Sequence, residues 1–149
     1  MRRRQEYDEV RDLVRAAQRS EDAQARVVLY LYENFGHYDW VGIYRLEKED
    51  LVLGPWHGEK PTEHVRIPKG QGICGACAVT CKTEVVPDVN ADARYLACFS
   101  ETRSEIVVPV IKDGALWGEI DIDSSERSAF GPDDVEFLEA VAKLLADVV

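Results

Sequence analysis

Apolar positions along this 149-residue chain change period twice. Up to about residue 35 they recur at helical spacing. Tyr7, Val10, Val14 and Ala17 mark one helix, and Val27, Val28, Leu31, Tyr32 and Phe35 stripe a second, with Ser20-Glu21-Asp22 as its candidate cap. Strand-like runs follow. Residues 39–46 read as a strand, a charged turn at 47–50 leads to a partner at 51–56, and a short strand is expected around 65–67. Small residues over 74–80, following a glycine-rich segment, predict a short helix, and 83–86 another strand. Residues 87–103 read as a loop, a length that in a compact domain signals function or mobility. Strands at 104–111 and 115–123 close through Lys112-Asp113-Gly114. Gly131-Pro132-Asp133-Asp134 opens a last helix, buried through Val135, Leu138, Ala142, Leu145 and Val149.

Helices flanking a mainly antiparallel sheet give an α+β fold. Without repeats or a linker, one domain is expected over 1–149, with the leading helices in 1–35 and the sheet core and C-terminal helix in 36–149. The net charge of −10 speaks against nucleic acid, since nothing offsets repulsion from phosphates. Arg2-Arg3-Arg4 precedes no apolar stretch, and no run reaches membrane-spanning length. A cytoplasmic protein without membrane contact is therefore expected.

Composition is otherwise ordinary, except that all four cysteines fall between Cys74 and Cys98. In a reducing compartment such clustering points to thiol chemistry or a metal. Cys74 is expected at a helix N-terminus, where the dipole favours thiolate. Cys74-Gly75-Ala76-Cys77 is a Cys-x-x-Cys, but the βαβ context of a thioredoxin-like dithiol is missing. Zinc held by Cys74, Cys77, Cys81 or Cys98, with His64 spare, lacks the second Cys-x-x-Cys pair that would make it strong. Three small buried residues on one helix face would show the same spacing as Cys74, Cys77 and Cys81.

The second cluster is acidic. Alternation over 115–123 sets Glu119, Asp121 and Asp123 on one face and Leu116, Ile120 and Ile122 on the other. A solvated face accounts for Glu119. For the aspartates the hairpin register decides. A two-residue loop pairs Glu105 with Ile122, and a three-residue loop sets Glu105 opposite Asp121. Trp40 and Tyr44 share a strand face and suit core packing. His37 and His57 read as surface or turn residues, and His64 as a polar surface residue.

These residues resemble the GAF domain, and within it the free methionine-(R)-sulfoxide reductases. The likeness runs from about Asp39 to the last helix. It rests on Trp40-Val41-Gly42-Ile43-Tyr44, Leu51-Val52-Leu53-Gly54-Pro55, Arg66-Ile67-Pro68, Gly72-Ile73-Cys74-Gly75, Val86-Pro87-Asp88-Val89, Ala97-Cys98, Ser104-Glu105-Ile106-Val107-Val108-Pro109 and Asp121-Ile122-Asp123-Ser124. The resemblance implies thiol-dependent reduction of free L-methionine-(R)-S-oxide. Cys98 would be the nucleophile, passing through a sulfenic acid to an intramolecular disulfide with Cys74 as resolving thiol, and a thioredoxin-like protein would recycle it. No metal, flavin or nicotinamide cofactor is implied. Glu105, Asp121 and Asp123 would bind the substrate, with Trp40 and Tyr44 in the pocket and Trp40 at the methyl end. The resemblance also implies the three-residue register. His64 stands ten positions before Cys74, where some members carry a third cysteine, which leaves Cys77 and Cys81 as alternative resolving thiols. Homodimerisation through terminal helices fits the apolar stripes, as does a monomeric core. A non-catalytic GAF module that binds a small ligand or senses redox state is the alternative function.

Overall fold

The computed structural model describes residues 1–97 and 99–149, so statements about Cys98 lie outside it. Two helices, α1 (Arg4–Ala16) and α2 (Ser20–Asn34), precede strands β1 (Trp40–Glu47), β2 (Asp50–Gly58) and β3 (Arg66–Pro68). The short helix α3 (Gly72–Thr80) leads to β4 (Glu84–Val86), a 3₁₀ turn (Val89–Ala91), β5 (Ser104–Lys112), β6 (Ala115–Ser124) and α4 (Pro132–Ala146). The strands form one sheet in the order β3-β2-β1-β6-β5-β4, with every pairing antiparallel. Among the described residues no helix is long and apolar enough to cross a membrane.

Both sheet faces are covered. On one, Val41, Ile43, Ile106, Val108, Ile120 and Ile122 meet the stripes of α1, α2 and α4. On the other, Trp40, Tyr44 and Val107 pack against Ile73, Cys74, Cys77 and Ala78 of α3. The expected stripe of α2 is buried at Val27, Val28, Leu31 and Phe35, while Tyr32 stays half-exposed. Ser20 begins the helix but does not cap it; its hydroxyl accepts from Gln24 Nε2 at 3.1 Å. Pro132 opens α4 as expected, and the Asp134 carboxylate accepts the Gly131 N–H at 2.9 Å, satisfying a free donor of the first turn. Val149, placed in the α4 stripe by its spacing, lies beyond the end of the helix.

The β5–β6 register differs from both simple alternatives. Asp113 and Gly114, at φ 51° and 79°, form a two-residue turn, with Lys112 paired to Ala115. An extra residue then enters β6. Ile111 pairs with Leu116 but Val110 pairs with Gly118, so a bulge at Trp117 shifts the remaining ladder by one. Glu105 therefore stands opposite Asp123, and Val107 opposite Asp121, in place of the expected Glu105–Asp121 pair. The bulge also moves Leu116 to the α3 side of the sheet, opposite Ile120 and Ile122, while Trp117 packs on the helix side.

Candidate active site

The α3 side of β6 carries a row of acids. Asp123, Asp121 and Glu119 stand opposite Trp40, Gly42 and Tyr44 of β1, and Glu105 of β5 flanks Asp123. All four carboxyls are buried, and Glu119 is 0% exposed. The solvated face expected for Glu119 is thus overturned, because α3 lies over it. Alternation along a strand gives a side chain's face but not what covers that face.

Glu105 acts at close range on both Asp121 and Asp123. Carboxyls brought this close relieve their mutual repulsion by sharing a proton. Burial raises Asp121, and burial followed by the Asp121 charge raises Asp123 well above the usual carboxyl range. One oxygen each of Asp121 and Asp123, and the buried Trp40 indole N–H, find no hydrogen-bond partner among the described residues. A buried polar group without a partner costs about 1–3 kcal/mol. Three of them side by side point to a polar ligand.

Cys74 lies in the first turn of α3, as expected, and is buried at 5% exposure. The expected thiolate does not follow. Burial, then the charges of Asp121, Glu119, Glu105 and Asp123, push the thiol well above its ordinary pKa and outweigh the helix dipole. Cys77 is fully buried one turn on, with Sγ 3.9 Å from the Val107 carbonyl. Cys81 is separated from them. It is the exposed, left-handed residue (φ 56°) that ends α3, and it borders a surface groove against α4.

Two cavities border the acid row. A cleft of about 290 Å³ is lined by Trp40, Lys60, Phe99, Glu101, Asp123 and Ser124. A small space of about 20 Å³ is lined by Tyr44, His64, Cys74, Leu96, Glu105 and Asp121. His64, half-exposed, borders this space from the surface: Nε2 lies 3.2 Å from the Ala97 carbonyl, and its own carbonyl accepts the Tyr44 hydroxyl at 2.7 Å. His57 tilts against Tyr32 with ring centroids 4.6 Å apart, and His37 is half-buried beside Asp134, Nε2 to Oδ1 3.0 Å.

The Trp40 indole lies flat over two glycines. A Cβ on Gly42 would come within 2.4 Å of its six-membered ring, and a Cβ on Gly58 within 2.4 Å of Cδ1. Phe99 tilts over it, with ring centroids 6.1 Å apart.

Single donor atoms of Cys74, Glu105 and Asp121 all lie within 4.8 Å of one another. A tetrahedral zinc takes four ligand atoms about 3.5 Å apart, and this group supplies three. Of the expected site residues, the structure brings together Trp40, Tyr44, Cys74, Glu105, Asp121 and Asp123, with Cys77 beneath them. It leaves Cys81 outside. Glu119 is the member that sequence reasoning missed, and its place between Gly118 and Ile120 in an alternating run was the available signal.

A family model for the GAF domain matches residues 10–149. The chain is 43% identical over 111 residues to the free methionine-R-sulfoxide reductase of Saccharomyces cerevisiae, covering 72% of this chain and 61% of that protein. It thus spans less than two thirds of the length of that relative. Among solved structures, the free methionine-R-sulfoxide reductase from Neisseria meningitidis in complex with its substrate superposes with a TM-score of 0.91 at 36% identity, covering 97% of this chain and 86% of that one. The type II free methionine-R-sulfoxide reductase from Thermoplasma acidophilum gives 0.84 at 38% identity, covering 93% and 94%.

Proposed function

We propose that this chain, which belongs to the GAF domain family, reduces free L-methionine-(R)-S-oxide to L-methionine with its own thiols. The observation that carries this reading is the buried carboxyl row beside Cys74, with unpartnered oxygens on Asp121 and Asp123. A free amino acid brings an ammonium that such a row attracts, and a peptide-bound methionine does not. The likeness to reductases of this substrate supports the same reading.

In this mechanism the ammonium binds among Glu105, Asp121 and Asp123. The Trp40 ring face receives the methyl group, and its free N–H donates to the sulfoxide oxygen. Cys98, the nucleophile by resemblance, attacks the sulfoxide sulfur as thiolate. The oxygen takes a proton from the acid row and leaves on the cysteine as a sulfenic acid, releasing the thioether. Cys74 attacks the sulfenic sulfur, expelling water and forming a disulfide that a thioredoxin-like dithiol reopens. The substrate helps here: its positive charge offsets the carboxylates that hold the Cys74 thiol up, and so lowers its pKa as it binds.

The test is turnover of each methionine sulfoxide diastereomer by the reduced protein with dithiothreitol, read as methionine formed. Turnover of the R form, abolished by Cys98→Ser, is expected. A protein that forms no methionine from the R form overturns the proposal, and activity surviving Cys98→Ser reassigns the nucleophile.

A further inference from the structure

The proposed reaction leaves two buried groups unused, and they adjoin. Glu119 is excluded from solvent, and neither carboxyl oxygen has a hydrogen-bond partner among the described residues. The polar groups that act on it are the Cys74 and Cys77 thiols, which approach it without completing hydrogen-bond geometry, and the Asp121 charge. Cys77 is wholly buried and packs in one cluster with Cys74, Ala78 and Val107. Residues three apart near a helix start have Cα atoms about 5 Å apart, inside the roughly 4.4–6.8 Å range of disulfides. Cys74 and Cys77 stand in that relation in α3. A carboxyl placed against two thiols and bonded to nothing else has one obvious task, which is to hold a proton that a thiol gives up.

We propose that Cys74 and Cys77 form a second redox dithiol, in which Cys77 takes over the disulfide made at Cys74 and Glu119 accepts the Cys77 proton. The step rests on the reductase reading for its oxidant. Once Cys74 has been joined to Cys98, the Cys77 sulfur attacks Cys74 Sγ. The Cys74–Cys77 bond forms as the first disulfide breaks, and the Cys98 thiolate is released. No net oxidation occurs, since one disulfide replaces another, and the Cys77 proton passes to the Glu119 carboxylate. Asp121 interacts with both Glu119 and Cys74, and Glu105 stands opposite Asp123 and acts on Asp121, so a line of protonatable groups runs from the buried pair to the 290 Å³ cleft. The exchange frees the nucleophile for a second turnover before any external reductant arrives. Burial raises the Glu119 pKa well above the usual carboxyl range, so exchange accelerates as pH rises through that ionisation.

The test oxidises the reduced full-length protein with stoichiometric diamide, which takes two electrons and two protons from a dithiol, followed by acid quench, alkylation and tryptic peptide mapping. Residues 70–82 are one tryptic peptide holding Cys74, Cys77 and Cys81, and 95–103 is another holding Cys98. The expected product is peptide 70–82 with an internal disulfide and its single alkyl group on Cys81. Cys77→Ala instead traps 70–82 cross-linked to 95–103. Glu119→Gln slows appearance of the internal disulfide about 100-fold and removes its rise with pH. Wild-type protein in which Cys77 is alkylated at every stage of oxidation overturns the proposal, as does an unchanged pH profile in Glu119→Gln. Replacing diamide with the (R)-sulfoxide separates the two readings: an internal disulfide with diamide but none with the sulfoxide keeps the dithiol and removes the reductase.

Discussion

Strand β6 carries two opposite chemistries at alternate positions, and both are dry. Ile120 and Ile122 are 0% exposed on the helix side, while Glu119, Asp121 and Asp123 are 0%, 4% and 4% exposed on the α3 side. On the helix side they join an apolar cluster in which each member contributes its own burial, at roughly 25 cal/mol per Å². On the α3 side the cover is thin, one short helix and the segment before β5, and it encloses groups that burial penalises. The lesson is that exposure does not separate a scaffold from a site in this molecule. What separates them is whether the buried atoms are satisfied by the chain itself.

The comparison breaks most sharply if the chemistries are exchanged. Ile122→Asp places an unpaired charge among aliphatic side chains and is expected to cost about 3–5 kcal/mol, read as a fall in the urea midpoint. A loss under about 1 kcal/mol would mean that the helix side tolerates what only the α3 side is built to hold. Asp123→Asn keeps shape but removes a carboxyl that can hold a proton or answer the substrate's ammonium, so kcat/KM for the (R)-sulfoxide should fall about 100-fold while the melting temperature holds within a few degrees. A parallel loss of both would make the carboxyl structural.

Glu119→Leu gives the smallest effect and sharpens the comparison instead of breaking it. The folded carboxyl has its pKa raised by burial from the ordinary 4.5, so the native state keeps a proton that the unfolded chain releases. Its contribution is therefore complete below the unfolded pKa and is lost as pH rises toward the folded one. Leucine has no such loss. It should stabilise the protein by about 1 kcal/mol near neutral pH and by nothing near pH 4, measured by urea titration at several pH values. A pH-independent gain would show that Glu119 does not titrate in this range.

Much of this was legible from residues. The stripes of α1, α2 and α4, the hairpin strands, and the gathering of Cys74, Glu105 and the aspartates follow from period, turn chemistry and motif. The register did not follow, because it depends on one extra residue, Trp117, whose accommodation is decided by packing on both sides of the sheet and not by any local preference. That one residue put Leu116 on the wrong face and Glu105 opposite the wrong aspartate. Glu119 was misplaced for a different reason: the pattern reports its face, while the covering helix comes from 72–80, distant in sequence and too short to announce what it will lie on.

The two glycines beneath Trp40 set a size limit on whatever enters the cleft. The ring can lie flat only because positions 42 and 58 carry nothing, so the cleft floor rests on missing atoms. A methyl group added at either position has no room below the indole and must lift it toward Phe99, closing the cleft from underneath. Gly58→Ala thereby reduces the volume available to a ligand while leaving every carboxyl and thiol unchanged. The width of the site and its chemistry are separate properties, written at separate positions, and each can vary without the other.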